Sequence, residues 1–274
     1  MNKPKKSLGQ NFLKSEKIAQ EIVEAGEVCS DDIVLEVGPG KGILTEELLK
    51  KAKKVIAVEK DEQLEEFLKT KFVTEINSGK LEIICGDILD KHQGESLMLP
   101  KEYKIIANIP YYITSHFLRT FLEGDTQPSM MVLMVQKEVA ERIVGRNKLA
   151  RRRGGESLLS ISVKAYGQPE IIRYAPAGYF SPAPKVDSAV IKISGISKKF
   201  FKDISEKKFF ETVKKGFSQK RKMLINNLKA QKDDFTACNI DEKARAENLS
   251  LEQWKCLTFF MKQGIIKQIE CILK

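Results

Sequence analysis

Histidine is nearly missing from this sequence, since the chain of 274 residues contains only His92 and His116. This scarcity disfavours catalysis that depends on an imidazole. It also disfavours metal sites built from several histidines. We therefore predict neither a histidine-centred active site nor a bound metal.

Cysteine is scarce too, and the five cysteines form no C-x-x-C pair. Such scattered cysteines are typical of reduced thiols in a cytoplasmic protein, most of them small buried apolar groups. They are Cys29, Cys85, Cys238, Cys256 and Cys271. No apolar run approaches the roughly 20 residues of a membrane span, and the basic stretch before Leu8 leaves no room for a leader peptide. The sequence thus predicts a cytoplasmic protein without a membrane partner.

Positive charge is in excess, and the excess is unevenly distributed. Residues 1–192 carry 29 basic and 27 acidic side chains, whereas residues 193–274 carry 18 and 10. A basic module of this kind favours binding to a polyanion such as nucleic acid. A well-solvated helical surface would have the same composition, and charge alone does not separate the two interpretations.

Short apolar runs alternate with amphipathic stretches through the first two-thirds of the chain. The runs predict buried strands at Ile33–Val37, Val55–Val58, Leu81–Cys85, Ile105–Ala107 and Met131–Val135. The stretches between them predict helices at Thr45–Lys51, Asp61–Phe72, His116–Leu122 and Lys137–Val144. This alternation indicates an α/β fold with a parallel sheet covered by helices.

The later part of the sequence changes character twice. Two further strands, Ile171–Tyr174 and Ser188–Ile193, are so close in sequence that they predict an antiparallel sheet edge. After a linker near residues 194–199 the pattern becomes helical: Ser205–Phe217, Arg221–Leu228 and a last helix opened by the capping box Ser250-Leu-Glu-Gln253. We predict one domain over residues 1–193 and a small basic helical domain over residues 200–274.

Polar groups follow three successive predicted strands. A glycine-rich turn, Glu36-Val-Gly38-Pro-Gly40-Lys-Gly42, comes after the first strand and allows close approach of a ligand. Glu59 ends the second strand, where it can accept hydrogen bonds from ribose hydroxyls, and Asp87 follows the third, where it can accept from an adenine amino group. Each alone is an ordinary turn or surface residue. Together they predict a nucleotide-like ligand at the carboxyl edge of the sheet.

The segment Asn108-Ile109-Pro110-Tyr111 follows the fourth strand. The lone pair of an adenine N6 is delocalised into the ring, so alkylation needs acceptors that favour a pyramidal nitrogen. The Asn108 amide oxygen and the Ile109 carbonyl suit that task, and Pro110 stiffens the turn. Tyr111 offers a flat face for an extruded base. The segment therefore predicts transfer of a group to an adenine amine, with no general base required.

These motifs resemble the KsgA/RsmA family of small-subunit ribosomal RNA adenine dimethyltransferases, and the resemblance covers nearly the whole chain. It includes Gly9–Leu13, the segments above, Gln136–Val139, Phe180–Val190, Gln219–Lys222 and Arg245–Asn248. The resemblance implies a class I S-adenosylmethionine-dependent methyltransferase fold. It also implies dimethylation of two adjacent adenosines near the 3′ end of small-subunit ribosomal RNA, within immature subunits and by a monomer.

The resemblance also implies roles for individual residues. Phe180 would stack on the target base opposite Tyr111. The cofactor site would be lined by Gln10, Asn11, Leu13, Glu36, Gly38, Gly40, Glu59, Lys60, Asp87, Ile88 and Asn108.

One segment departs from the family pattern: the loop of residues 145–155 is longer and more basic than the short loop usual in bacterial relatives. We predict that this loop and the Gln219–Lys222 segment contact RNA phosphates, although a solvated loop would look the same. The residues concerned are Arg146, Lys148, Arg151, Arg152, Arg153, Lys220, Arg221 and Lys222.

Other functions stay open at this point. One is a macrolide-resistance type methyltransferase acting on large-subunit ribosomal RNA, which shares the glycine turn and Asn108–Tyr111. Another is an RNA-binding assembly factor or transcription-factor relative in which methylation is incidental or lost.

Overall fold

The computed structural model describes residues 5, 8–90, 99–145 and 155–272, with side chains up to residue 261. The chain forms two compact units, one of residues 1–140 and 167–197 and the other of residues 141–166 and 198–274. Within the described ranges, every helix is too short or too polar to span a bilayer.

A seven-stranded mixed sheet is the centre of the first unit. Its strands are β2 (Ile33–Val37), β3 (Lys54–Glu59), β4 (Leu81–Cys85), β5 (Lys104–Ala107), β6 (Met130–Gln136), β7 (Gln168–Ala175) and β9 (Ser188–Ser194). Their order is β4-β3-β2-β5-β6-β9-β7; the first five are parallel, and β9 is antiparallel to both β6 and β7. Two shorter strands, β1 (Phe12–Leu13) and β8 (Phe180–Ser181), pair with each other separately. The predicted parallel sheet with an antiparallel edge is confirmed.

Helices join β2 to β3, β3 to β4 and β5 to β6, as the alternating pattern predicts, and one more precedes β2 and another follows β6. They are Glu16–Ala25, Ile43–Lys51, Glu62–Lys71, Val73–Asn77, Thr114–Glu123 and Lys137–Ile143. The strands β5 and β6 are almost wholly apolar and lie in the interior, with Ile105 and Leu133 fully buried. Burial of each such side chain stabilises the fold by about 1.5–3 kcal/mol.

The first helix, Glu16–Ala25, was not predicted. Ser15 caps it by accepting a hydrogen bond from the Ile18 backbone N–H, and its buried residues Ile18 and Ile22 are four apart on one face. This i, i+4 spacing after a serine was a usable signal.

The second unit is helical, with a core of aromatic side chains. Its helices are Leu158–Lys164, Glu206–Gly216, Leu224–Leu228, Lys232–Ala237 and Leu251–Ile272. Trp254 is fully buried and stacks on Phe217 at 5.7 Å between ring centroids. Gly216 leaves room for the indole, since a Cβ there would lie 2.4 Å from the Trp254 ring. The predicted capping box is confirmed, because Gln253 N donates to Ser250 Oγ and Ser250 N to Gln253 Oε1.

The sequence predicted a single boundary at residues 193–200, with residues 141–166 in the first domain. Instead, residues 141–166 belong to this second unit together with residues 198–274. The reason is aromatic packing, since the Tyr166 ring lies 5.2 Å from that of Phe201 and 5.9 Å from that of Phe210. The helix expected at Arg221 begins at Leu224, because residues before it form a turn.

The expectation of reduced thiols is wrong for one pair of cysteines. Cys238 and Cys256 form a disulfide with their Cα atoms 5.6 Å apart, a separation that a disulfide can bridge. The packing of Lys232–Ala237 beside Leu251–Ile272 brings the two together. Cys29 and Cys85 are free but exposed rather than buried.

Candidate active site

A pocket opens at the carboxyl ends of β2, β3, β4 and β5 and is closed on one side by residues 8–13, called here the N-terminal segment. All eleven residues predicted to bind the cofactor line it, as do Asn108–Tyr111. The sequence analysis missed other lining residues, among them Leu8, Gly9, Phe12, Lys41 and Tyr112. The N-terminal segment lies here because β1 pairs with β8 in register Leu13↔Phe180.

The glycine-rich turn is joined by a hydrogen bond to the end of the neighbouring strand. Gly40 has a left-handed φ of 59°, and its N–H donates to Glu59 Oε2 at 3.1 Å. A Cβ at Gly40 would lie 2.9 Å from the Phe12 ring, so glycine is required here by both conformation and space. The turn and the Glu59 carboxylate therefore form one continuous wall of the pocket.

Glu59 is a buried carboxylate with 6% of its surface exposed. Its Oε1 accepts from the Asp61 backbone N–H at 3.0 Å, and its Oε2 accepts from Gly40. Burial raises the pKa of Glu59, and these backbone donors oppose the rise. Each oxygen keeps a further lone pair, so the carboxylate can accept from two hydroxyls of a ligand.

Glu36 lies deeper in the same pocket and is 1% exposed. Neither of its carboxylate oxygens has a hydrogen-bond partner among the described residues. Burial raises the pKa of Glu36 to about 8, the nearby Glu59 adds to the rise, and the Thr45 hydroxyl opposes it without reaching hydrogen-bond geometry. A buried carboxylate of this kind suits a cationic ligand group.

Asp87 lies at the end of β4 and pairs with Lys60 at the end of β3, Nζ to Oδ2 2.8 Å. Its Oδ1 accepts from the Leu89 backbone N–H at 3.0 Å. Burial raises the pKa of Asp87, but the Lys60 ammonium and the Leu89 donor outweigh burial and hold it below its ordinary value. Asp87 is thus an ionised acceptor.

The Asn108 side chain is oriented by the N-terminal segment. Its Nδ2 donates to the Asn11 backbone carbonyl at 3.3 Å. This contact engages the donor half of the amide, and the amide oxygen is the acceptor half that remains. Ile109 is buried, and Pro110 accepts from the Ile113 N–H in the short turn that follows.

Two adjacent tyrosines line the pocket beside Asn108. The Tyr111 ring is partly buried and its hydroxyl is hydrogen-bonded to Ser188 at 2.5 Å. Burial raises the pKa of Tyr111, and the Ser188 contact opposes the rise. Tyr112 is 63% exposed, so one ring is fixed and the other lies open to solvent.

Phe180 does not join these residues. It is 1% exposed and packs in the core with Leu13 and Ala175, and it is absent from the described residues that line the pocket. Its burial follows from the pairing of β8 with β1. The suggested stacking of Phe180 on a base therefore has no open ring face in this structure.

The basic segment of the second unit is an exposed turn. Lys220, Arg221 and Lys222 are all exposed, between the helices Glu206–Gly216 and Leu224–Leu228. Asn227 Nδ2 donates to the backbone carbonyls of Gly216 and Gln219, and these two hydrogen bonds hold the turn against the helix Leu224–Leu228. The other predicted RNA contacts, Arg146, Lys148, Arg151, Arg152 and Arg153, lie outside the described residues.

Known proteins are similar to this chain in both sequence and fold. The family model of the ribosomal RNA adenine dimethylases matches residues 1–263. A ribosomal RNA small subunit methyltransferase A of Dehalococcoides mccartyi is 42% identical over 261 residues, covering 92% of this chain and 87% of the relative. The protein of that name from Clostridium perfringens is 37% identical, covering 92% and 89%.

Among solved structures, a dimethyladenosine transferase from Plasmodium falciparum superposes with a TM-score of 0.74 at 28% identity, covering 92% of this chain and 98% of its own. The 23S rRNA methyltransferase ErmE has the same TM-score of 0.74 at 24% identity over 90% of this chain and 98% of its own, a likeness that concerns the fold alone.

The sheet and its carboxyl-edge pocket define a methyltransferase that depends on S-adenosylmethionine. The chain belongs to the ribosomal RNA adenine dimethylase family.

Proposed function

We propose that this chain transfers methyl groups from S-adenosylmethionine to N6 of two adjacent adenosines in the hairpin near the 3′ end of small-subunit ribosomal RNA. Each adenosine would become N6,N6-dimethyladenosine. The observation that carries the proposal is the orientation of Asn108, whose Nδ2 is engaged by Asn11 so that its oxygen is left to accept from a substrate amine. Family membership and the names of the relatives support the substrate class.

The polar lining of the pocket fits the cofactor group by group. Glu36, with its unpartnered buried oxygens, suits the ammonium group of the cofactor. Glu59 suits the ribose hydroxyls, and ionised Asp87 suits the adenine amino group. The cofactor supplies an electrophilic methyl group, and the carboxylates orient it and compensate its positive charge.

The residues around Asn108 would act on the target base. The Asn108 oxygen and the Ile109 carbonyl accept from the two N6 hydrogens, which favours a pyramidal nitrogen and stabilises the positive charge that develops there. Tyr111, anchored by Ser188, offers its ring face to the extruded base. The methylated nitrogen loses its proton readily to water, so no side chain is needed as a general base.

The second unit would bind RNA rather than react. The exposed turn of Lys220, Arg221 and Lys222 is available to phosphates, and in the described part of the chain none of the three forms a salt bridge. We extend the same role to the basic residues between 146 and 153 on their composition alone.

The test compares three substrates: immature small subunits, large subunits and naked ribosomal RNA. Methyl transfer is measured with labelled S-adenosylmethionine, and the modified nucleosides are identified by mass spectrometry. We expect dimethyladenosine in immature small subunits. Preferential methylation of large subunits would replace the proposed substrate, and absence of transfer to any of the three would favour a non-catalytic assembly role.

A further inference from the structure

We propose that Asp61 is a positioning residue that holds the N-terminal segment over the cofactor pocket. It does not line the pocket itself. Through the segment it would set cofactor affinity and the orientation of Asn108. The proposal rests on the assignment of this pocket to S-adenosylmethionine.

Asp61 gathers hydrogen bonds from distant parts of the chain. Its carboxylate is 4% exposed, and its Oδ1 accepts from the Lys5 ammonium at 2.7 Å. Its Oδ2 accepts from Gln10 Nε2 at 3.0 Å. Gln10 in turn accepts from the Lys5 backbone N–H at 2.7 Å, so the three residues form a closed network. Hydrogen bonds to a buried charged group are among the stronger ones in proteins.

The network continues into the site. Asn11 follows Gln10 in the chain. Its side-chain amide donates to the Gly9 carbonyl at 3.1 Å, and its backbone carbonyl accepts from the side-chain amide of Asn108. The backbone N–H of Asp61 also donates to Glu59 Oε1. Asp61 is therefore joined to the ribose-binding carboxylate directly and to Asn108 through the N-terminal segment.

The other end of the N-terminal segment is held separately. Leu13 pairs with Phe180, and the Lys14 N–H donates to Tyr179 O at 2.9 Å. Asp61 thus supplies the anchor at the start of the segment, and β8 supplies the one at its end. With both anchors in place the segment is ordered before the cofactor binds, so binding does not have to supply the entropy of ordering it.

A purely structural role for Asp61 is possible because it also caps the helix Glu62–Lys71, accepting from the Gln63 N–H. Serine is an equally good cap, but its uncharged side chain is too short to hold both Lys5 and Gln10. Asp61→Ser therefore removes the anchor and keeps the cap. Lys5→Met removes the ammonium without changing the helix, and Lys54→Met, which breaks the exposed ion pair with Glu82, is the matched control.

The experiment measures two quantities on the full chain: S-adenosylmethionine affinity by calorimetry, and amide hydrogen exchange of residues 8–13 without cofactor. We expect Asp61→Ser and Lys5→Met each to weaken binding by about 10-fold or more and to speed exchange in the N-terminal segment. The double variant should be no worse than Asp61→Ser, because both changes remove one network. Since saturating cofactor restores the segment, KM for the cofactor should rise while kcat changes little.

The Glu59→Gln variant separates a failure of the role of Asp61 from a failure of the pocket assignment. If it weakens cofactor binding while Asp61→Ser and Lys5→Met bind and exchange as the unmodified chain does, the role of Asp61 is refuted and the pocket assignment stands. If Glu59→Gln also binds normally, the pocket assignment itself fails, and the proposal for Asp61 fails with it.

Discussion

The Tyr111 hydroxyl lies 2.5 Å from the hydroxyl of Ser188, a residue that is fully buried 77 positions later in the chain. Ser188 begins β9, the strand that runs antiparallel to β6. The antiparallel edge of the sheet thus fixes the ring that we assign to the target base.

This contact sets the order of effects expected at Tyr111. Tyr111→Ala should lose base stacking worth about 1–3 kcal/mol, whereas Tyr111→Phe keeps the π-face and should stay largely active. Ser188→Ala should match Tyr111→Phe, and the double variant should be no worse than either. The measurement is kcat/KM for methyl transfer to immature small subunits. Additive losses in the double variant would mean that the two hydroxyls act independently.

Asn108→Ala should lower turnover by about 10²-fold or more, because a preorganised acceptor for the N6 hydrogens is removed. Cofactor binding must be measured alongside, since Asn108 also lines the cofactor pocket. Mass spectrometry should identify dimethyladenosine as the product of the unmodified chain. Full activity of Asn108→Ala, or monomethyladenosine as the sole product, is incompatible with the mechanism.

Glu59→Ala and Asp87→Ala should each weaken S-adenosylmethionine binding in the absence of RNA. Loss of hydrogen bonds to a charged group costs about 1.5–3 kcal/mol, or roughly 10- to 100-fold in affinity. Calorimetry on the cofactor alone checks this. Unchanged S-adenosylmethionine affinity in both variants would refute the assignment of this pocket to the cofactor.

Glu36 should make the stability of the cofactor-free protein depend on pH. Burial raises its pKa from 4.5 to about 8. Because the folded-state pKa is the higher one, the stability linked to Glu36 is fully present below pH 4.5 and is lost as the pH rises towards 8. Glu36→Gln keeps the shape, removes the charge and should flatten this decline.

Thermal unfolding across that pH window tests the effect, with the exposed Glu66→Gln as control. In the unmodified chain, cofactor affinity should also rise with pH over the same window, since an ammonium group favours the ionised carboxylate. Identical pH profiles for Glu36→Gln and the unmodified chain would rule out this role of Glu36.

Neutralising Lys220, Arg221 and Lys222 together should weaken binding to small subunits and reduce its dependence on salt, because fewer phosphate counterions are released. Cofactor affinity should stay the same. Binding measured over a salt series provides the test, and a triple variant with the slope of the unmodified chain would show that the turn does not contact phosphate.

Much of the first unit could be predicted from local sequence. The apolar runs at β2, β3, β5 and β6 reflect burial of these strands on both faces, whereas β4 lies at the sheet edge and is only partly buried; each of the five strands is followed by a polar or glycine residue. The carboxyl ends of parallel strands lie at one edge, so Glu59, Asp87 and Asn108 had to be near one another once the strands were identified. The class of ligand followed from that edge.

Long-range packing decided the rest. In the sequence Asp61 is only the first residue of a predicted helix, and only the fold brings Gln10 to it across 51 positions. No local pattern in the sequence singles out Ser188, and it meets Tyr111 only through the position of β9 in the sheet. Phe180 was expected at the base and is instead buried, because β8 pairs with β1. Cys238 and Cys256 became a disulfide only through the packing of two helices.

One physical reason explains why some features could be predicted from the sequence and others could not. Burial periodicity, turn chemistry and capping act between near neighbours, so the amino-acid sequence by itself determined the strands, the glycine turn and the polar groups at the strand ends. Contacts across 50 or more positions depend on which elements finally pack together. Tertiary structure alone therefore decided the anchoring of the N-terminal segment, the fixing of Tyr111, and the joining of residues 141–166 to the helical unit.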